Sequence, residues 1–207
     1  MNKRFTVSAL TALACLLTTR PDVMAAEAYA VDPDHTSIVF SVGHAGFSYV
    51  YGFFRKAQGD FVLDKTNPAN CRFRFTIDAN SLDTNQARRD EHLKSAEFFE
   101  VQQYPTIQFD STSCALAKTA DGGIVYQVTG NMTLHGVTQR VTIPLRMLGE
   151  GKSPFNDYRA GFLSNFQLKR SDYKMDKWPE MVGDAIAITI SFEGILQDAA
   201  GNPARAQ

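Results

Sequence analysis

Alternation with a period of two runs through most of this chain and limits what it can fold into. Phe73, Phe75 and Ile77 alternate with Arg72, Arg74 and Thr76, and Tyr126, Val128, Met132 and Leu134 alternate with Gln127, Thr129, Asn131 and Thr133. Val141, Ile143, Leu145 and Met147 follow, then Phe162, Phe166 and Leu168, then Ile186, Ile188, Ile190 and Phe192. Side chains of a strand point alternately to opposite sides of a sheet, so each segment has one dry and one wet face, as in an antiparallel sheet. Rolled closed, such a sheet has an apolar inside, and about eight strands can just hold a small ligand.

The strand candidates are Thr36–His44, Gln58–Leu63, Cys71–Ile77, Thr106–Ser113, Ile124–Leu134, Gln139–Leu148, Arg159–Lys169 and Ala185–Leu196, with a short strand near Tyr29 as an edge. Asp121-Gly122-Gly123 and His135-Gly136 read as hairpin turns, since glycine takes positive φ at no steric cost. Short strands at this spacing predict an all-β sandwich or barrel.

Two stretches break the pattern. Thr84–Gln103 lacks period-two alternation and reads as two short helices, the first capped by Thr84 or Asn85, the second by Ser95 with Glu97 in its first turn. Pro105 ends the excursion. Phe98 and Phe99 then need an apolar place, either outer packing or a plug over a barrel mouth. Gly46–Arg55 reads as a long aromatic loop carrying Phe47, Tyr49, Tyr51, Phe53 and Phe54. That much ring surface either fills the core or lines an entrance.

The first residues read as a leader. Basic Lys3 and Arg4, a mostly apolar Phe5–Leu17 and small Ala25, Ala26 and Ala28 fit a secretory signal peptide over residues 1–26, cleaved after Ala26 or Ala28. The apolar run is too short for a membrane span of ~20 residues. One domain over 27–197 and a loose tail over 198–207 complete the expected organisation, and the leader implies a periplasmic or secreted protein. A net charge of -1 removes the electrostatic case for nucleic acid.

Cys15 belongs to the leader, which leaves Cys71 and Cys114. In an oxidising compartment a disulfide between them is expected, with two free thiols as the alternative. Parity places Cys71 with Phe73 and Phe75 on the apolar face, but Cys114 opposite Phe109. A bulge between Phe109 and Cys114 repairs this.

Catalytic chemistry has few handles. His35, His44, His92 and His135 form no His-x-His or His-Glu-x-x-His pair, and no Cys-x-x-Cys occurs, so no metal-ligand set stands out. His135 is explained by its turn, while His44 shares the apolar parity of Phe40 and Val42. No Gly-x-Ser-x-Gly elbow exists. Gly149-Glu150-Gly151 lacks the strand-to-helix setting of a dinucleotide loop and reads as a turn. The charged run Arg88–His92 is a solvated helix face, a headgroup contact, or a bridge pinning the helical cap to the barrel.

The ordered motifs of the chain resemble those of the YceI-like proteins of bacteria, over nearly the whole of the expected mature chain. They are His35-Thr36-Ser37 leading into Phe40-Ser41-Val42-Gly43-His44, Gly52-Phe53-Phe54, and Gly59-Asp60-Phe61. Next come Thr84-Asn85, Arg89-Asp90-x-His92-Leu93, Phe98-Phe99 and Tyr104-Pro105-x-Ile107-x-Phe109. Gly130-x-Met132-Thr133-Leu134-His135-Gly136-Val137-Thr138, Arg159-Ala160-Gly161-Phe162 and Val182-Gly183-Asp184 close the series. One departure is Tyr173-Lys174-Met175, where the family usually has an aromatic followed by Gly.

The resemblance implies a closed antiparallel eight-stranded lipocalin-like barrel with a short helical insertion. It implies export to the periplasm and a bound polyisoprenoid, a polyprenyl phosphate or a ubiquinone-like quinone, with no other cofactor, no metal and no catalytic residue to carry over. Strand parity and the aromatic loop nominate Phe40, Val42, Phe53, Phe54, Phe75, Phe98, Phe99, Phe109, Met132, Phe162 and Phe166 as lining, with Met175 and Met181 as flexible additions. Arg89, Asp90 and His92 are the candidate headgroup or cap contacts. The leading expectation is a protein that carries, stores or sequesters such an amphiphile. The alternatives are quinone delivery to a transient inner-membrane partner such as a cytochrome, and an enzyme using Asp90 and His92 as acid and base. A tail that outruns one cavity favours a homodimer.

Overall fold

The structure, a computed structural model, describes residues 26–120 and 122–204. Nearly all of the expected leader, with Cys15, lies outside the described residues, as does Asp121 of the glycine turn. The described residues form eleven strands and one α-helix: β1 (Glu27–Val31), β2 (Ser37–His44), β3 (Ser48–Phe54), β4 (Ala57–Leu63), β5 (Arg72–Asp78), β6 (Leu82–Asp83), α1 (Ala87–Lys94), β7 (Thr106–Lys118), β8 (Ile124–Leu134), β9 (Val137–Lys152), β10 (Tyr158–Lys169) and β11 (Val182–Leu196).

The sheet closes through its shortest full stave. Within β1, Tyr29 faces Phe61 of β4 on one side and Leu196 of β11 on the other. The ring β1-β4-β5-β7-β8-β9-β10-β11 is therefore an eight-stranded antiparallel barrel. Beyond a turn at Pro33–His35, β2 continues along the same edge of β11, with Ile38 opposite Ile190. β3 pairs fully with β2, but its other edge is paired by β6 only at Phe53 and Phe54. The segment after β6, including α1, packs at this incompletely walled end, where Phe99 meets the Phe54 ring edge-on at 5.7 Å.

Local chemistry explains the joints. His135 (φ 51) and Gly136 (φ 70) are both left-handed, as a tight two-residue hairpin requires. A Cβ on Gly136 would also stand 2.5 Å from the Tyr104 ring. The register of β7 against β8 shifts between Ser111 and Ser113. This bulge buries both Phe109 and Cys114, as the parity count required.

Three sequence expectations need correction. Gly46–Arg55 is mostly a strand, β3, and its rings alternate outward: Phe47, Tyr49, Tyr51 and Phe53 are exposed while Gly52 and Phe54 are buried. The excursion after Thr84 holds one helix, capped by Gln86, whose side chain accepts from the Arg89 N–H. Asn85 is left-handed (φ 61), and Ser95 ends that helix instead of starting another; turns follow. The tail folds back through Ala204, whose N–H donates to the Leu196 carbonyl at 2.8 Å, with Asp198 accepting from Ala200 and Asn202.

Candidate functional site: a lumen plugged at one end

The inward faces of the strands divide the barrel into layers. The end near β1 is solid. Tyr29 stacks on Phe61 at 4.8 Å, Phe61 on Phe73 at 5.5 Å, and Phe162 on Phe192 at 5.2 Å. Edge-on contacts between Phe61 and Phe162, and between Tyr126 and Phe162, lock the stacks together. Gly194 makes this possible, since a Cβ there would meet the Phe61 ring at 2.2 Å. Phe162, expected to line a cavity, is fully buried in this plug; parity shows that a side chain points inward but not whether its layer is filled.

Above the plug the interior opens. A pocket of about 50 Å3 lies among Phe75, Phe109, Val128, Ile143 and Phe192. It shares Ile38, Ile77, Ile107, Met132 and Ile190 with a larger space of about 120 Å3. Phe40, Val42, Phe54, Phe98, Phe99, Met132 and Phe166 line this second space, together with Leu93, Tyr173 and Met175. Of the nominated lining residues, Phe162 lies in the plug and Phe53 stands on the barrel exterior, under the Arg55 guanidinium at 4.5 Å. Phe98 and Phe99 resolve their alternatives by facing the lumen.

The lumen leads to a mouth of about 330 Å3 lined by Phe40, Val42, His44, Val50, Arg89, His92, Leu93, Phe98, Trp178, Met181 and Val182. Thr84, buried beneath α1, organises the insertion. Its N–H and hydroxyl donate to Asp90, while Arg89 donates from Nε to the Thr84 hydroxyl (2.8 Å) and from Nη2 to its carbonyl (2.7 Å). Gly52 leaves room for it: a Cβ there would come within 2.9 Å of Thr84 and 2.3 Å of the Phe40 ring. His92 pairs with Glu97 at 2.6 Å, and Trp178 donates to the same carboxylate at 3.1 Å. His92, then Trp178, hold the Glu97 carboxyl below the ordinary carboxylate range. Asp90 and His92 thus have separate partners and do not form an acid–base pair. The polar contacts of the charged run stay within the insertion itself, and Glu97 in turn is tied by Trp178 to the loop between β10 and β11.

The loop between β10 and β11 forms the rest of the rim. Arg170, buried, donates to the carbonyls of Met175, Val182 (2.8 Å) and Gly183 (3.0 Å), so one guanidinium clamps both ends of the loop. Burial lowers its pKa from the ordinary value. Lys174 occupies the left-handed region (φ 59) at the position where the motif usually carries glycine. The Tyr173 hydroxyl is buried and has no hydrogen-bond partner among the described residues, and burial pushes it up to about 12. The Ala45 N–H ties the β2–β3 hairpin to Met181 at 2.8 Å, which brings exposed Phe47 and Trp178 to the same end.

Beside the plugged end lies an ionic cluster that sequence reasoning did not find. Arg159 Nη1 donates to Asp32 (2.6 Å) and Glu193 (2.8 Å), its Nε to Asp157 (2.9 Å), and His35 pairs with Asp32 at 2.8 Å. Burial pushes the Asp32 carboxyl up, but hydrogen bonds from His35 and Arg159 outweigh it and hold the group below the ordinary range. Asp32, His35 and Glu193 have ligand atoms within 4.8 Å of one another, yet the positive charge at their centre is that of Arg159. The only sequence signal was that His35 and Arg159 fall in quoted motifs.

Cys71 and Cys114 are both buried and are free thiols in this structure. The influence of the Cys114 thiol first, and a hydrogen bond from the Asp64 N–H (3.3 Å), bring the Cys71 thiol down to about 7 against burial.

A model of the YceI-like domain matches residues 29–194. A UPF0312 protein of Pseudomonas paraeruginosa is 41% identical over 197 residues, covering 93% of this chain and 98% of the relative. The chain belongs to the YceI-like family. Among solved structures, Burkholderia cenocepacia BcnA superposes with a TM-score of 0.69 at 22% identity, over 79% of this chain and 98% of BcnA. A polyisoprenoid binding domain from Saccharophagus degradans superposes with a TM-score of 0.61 at 14% identity, over 80% and 97%. At these identities both likenesses speak for the fold alone.

Proposed function

We propose that the chain is an exported, non-enzymatic carrier that takes one amphiphilic lipid of the polyisoprenoid type into its lumen and shelters the tail from water. The observation that carries this reading is a blind apolar lumen: ring stacks fill one end of the barrel, and its lining above them, except for Gln108, Lys169, Arg170 and the Tyr173 hydroxyl, offers only hydrocarbon and thioether surface. A polyprenyl tail has no hydrogen-bonding groups, and each buried methylene contributes about 0.8 kcal/mol. The polyisoprenoid binding domain named above, built on the same fold, supports the capacity of such a barrel.

The space sets a condition on the ligand. A dry cavity of about 150 Å3 holds a benzene ring, so the 120 Å3 lumen takes about one isoprene unit with its side chains as they stand. A longer tail enters by displacing Met132, Met175, Leu93 and Phe99, of which the unbranched methionines yield at the lowest cost. The site of action is the periplasm, after removal of residues 1–26.

Organic extraction of the purified exported protein, followed by mass spectrometry, tests this. A long apolar molecule in stoichiometric amount is expected. Protein that carries no lipid and takes up none from detergent-solubilised isoprenoids removes the reading.

A further inference from the structure

Two walls of the mouth come from distant parts of the chain. The loop between β10 and β11 brings Trp178 and Met181, and the insertion brings His92, Leu93 and Phe98. The loop is the fixed wall. Besides the Arg170 clamp at its ends, the Trp178 carbonyl accepts from the N–H groups of Met181 (3.0 Å) and Val182 (2.9 Å), and the Met181 carbonyl accepts from Ala45. The insertion is held further out. Thr84 anchors Arg89 and Asp90 at the start of α1, and the Glu100 carbonyl accepts from Gln103 and Tyr104, each at 2.9 Å. Between these anchors lie residues 95–99. Their backbone leans on the end of α1: the Phe98 N–H donates to Ser95 (3.1 Å) and the Phe99 N–H to Leu93 (2.9 Å). This is the segment that carries the Phe98 and Phe99 rings into the lumen.

Glu97 stands in the same segment, and its Oε2 accepts from Trp178 Nε1 at 3.1 Å. Among the described residues this is the one hydrogen bond that joins the insertion to the β10–β11 loop. His92 Nε2 meets the same oxygen at 2.6 Å and fixes the carboxylate from the insertion side. The His92 ring stands edge-on to Phe98 at 5.1 Å and to Trp178 at 6.4 Å. Trp178 itself is left-handed (φ 57), a conformation that a bulky L side chain enters only at a steric cost. Backbone strain held at the lip of a binding cavity is characteristic of clamps and switches. The His92 and Glu97 side chains are also about half exposed, so water competes for the bond and it can break without local unfolding.

We propose that the Glu97–Trp178 hydrogen bond is a latch. It holds residues 95–99 against the β10–β11 loop, and a guest passes in either direction only while it is open. This rests on the lumen reading and adds to it a control on rate. Glu97 lines neither the lumen nor the mouth, and Trp178 lines the mouth but not the lumen, so the latch is the same over an empty lumen and a filled one. A contact made equally in both states changes no affinity. Breaking it therefore speeds entry and exit together, whereas loss of a direct contact with the guest acts chiefly on exit.

The test uses the full mature chain and a geranylgeranyl chain whose head carries a nitrobenzoxadiazole fluorophore, which brightens on leaving water. Stopped-flow mixing gives the rate of entry, and dilution gives the rate of release. Trp178→Phe keeps a ring in the wall and removes the N–H. In this variant both rates rise about threefold to tenfold, the range a single side-chain hydrogen bond provides. Kd stays within about twofold, because the two changes cancel. Glu97→Ala, which also releases His92, raises both rates further, and Glu97→Gln, which keeps an acceptor oxygen, lies nearer the unaltered protein. Unchanged rates in Trp178→Phe and Glu97→Ala overturn the latch. A rise in release alone also overturns it, by making Trp178 a direct contact of the guest. In both cases the lipid still binds and the lumen reading stands. A second measurement needs no guest: Trp178 is the single tryptophan of the sequence, and its quenching by acrylamide rises in Glu97→Ala. Unaltered quenching there overturns the latch whatever the kinetics. Failure of the unaltered protein to bind the lipid removes the lumen reading and the latch together.

Discussion

At one end of this barrel Tyr29, Phe61, Phe73, Tyr126, Phe162 and Phe192 pack ring on ring with no space between them, and Arg159 ties the neighbouring turn to the wall. At the other, the same strands hold Met132, Phe40 and Phe166 around open space, and exposed rings surround the opening. The chain thus concentrates rigidity where two close-packed ring layers meet and leaves adaptable side chains where a guest must pass. Stability and binding can be separated along one axis.

The largest test of that contrast is a pair of truncations read by urea unfolding. Phe61→Ala removes a fully buried ring from the plug and is expected to cost about 3–5 kcal/mol. Met132→Ala, bordering existing space, is expected at the low end of its class, about 2 kcal/mol, while enlarging the lumen and favouring longer tails. Equal losses at the two sites would erase the distinction between the ends.

The cysteines sharpen the comparison next, because Cys71 adjoins Phe73 of the plug. We propose that they bond after export. Under a disulfide oxidant the mass of the mature chain falls by two hydrogens and stability rises by about 2–4 kcal/mol, chiefly through restriction of the unfolded chain. Thiols that still react with alkylating agents after oxidant treatment and unfolding would argue against it.

The ionic cluster gives the plugged end a pH signature. Asp32 is depressed below its usual 3.8, so its contribution is present above that value and is lost as pH falls through the depressed one. His35 is raised above 6.5, first by its hydrogen bond to Asp32, so its contribution is complete below 6.5 and disappears as pH rises through the raised value. The cluster therefore acts in full between about pH 4 and 6.5. A melting series should show the gap between the unaltered protein and His35→Gln narrowing above that window; a constant gap would deny the linkage.

The smallest effect belongs to the mouth. Lys174→Gly relieves a left-handed side-chain residue and is expected to stabilise by up to about 1 kcal/mol, a gain a thermal melt resolves. A loss instead would show that the Lys174 side chain contributes more than its backbone strain costs.

Much of this was legible in the chain. β5, β8, β10 and β11 declared themselves because their outer faces are polar, and the parity conflict of Cys114 correctly called for the bulge. β3 did not, because its outer face carries Phe47, Tyr49, Tyr51 and Phe53 while Gly52 occupies an inner position; an aromatic exterior hides a period of two. Phe162 was placed inward but not in depth, which depends on how Gly194 admits the Phe61 ring from across the barrel. Asp32, Arg159 and Glu193 meet only through folding, so no local spacing could announce their cluster. The helix start went to Gln86 because Thr84 and Asn85 were committed elsewhere, to Asp90 and to a left-handed turn.

One joint has a consequence for how the molecule comes into being. The stave Glu27–Val31 closes the ring by gripping residues 194–196, the far end of the domain. Until that last segment leaves the ribosome, the nascent sheet has two raw margins and nothing to seal them. The vessel shuts only once residues 194–196 are free to meet the first strand.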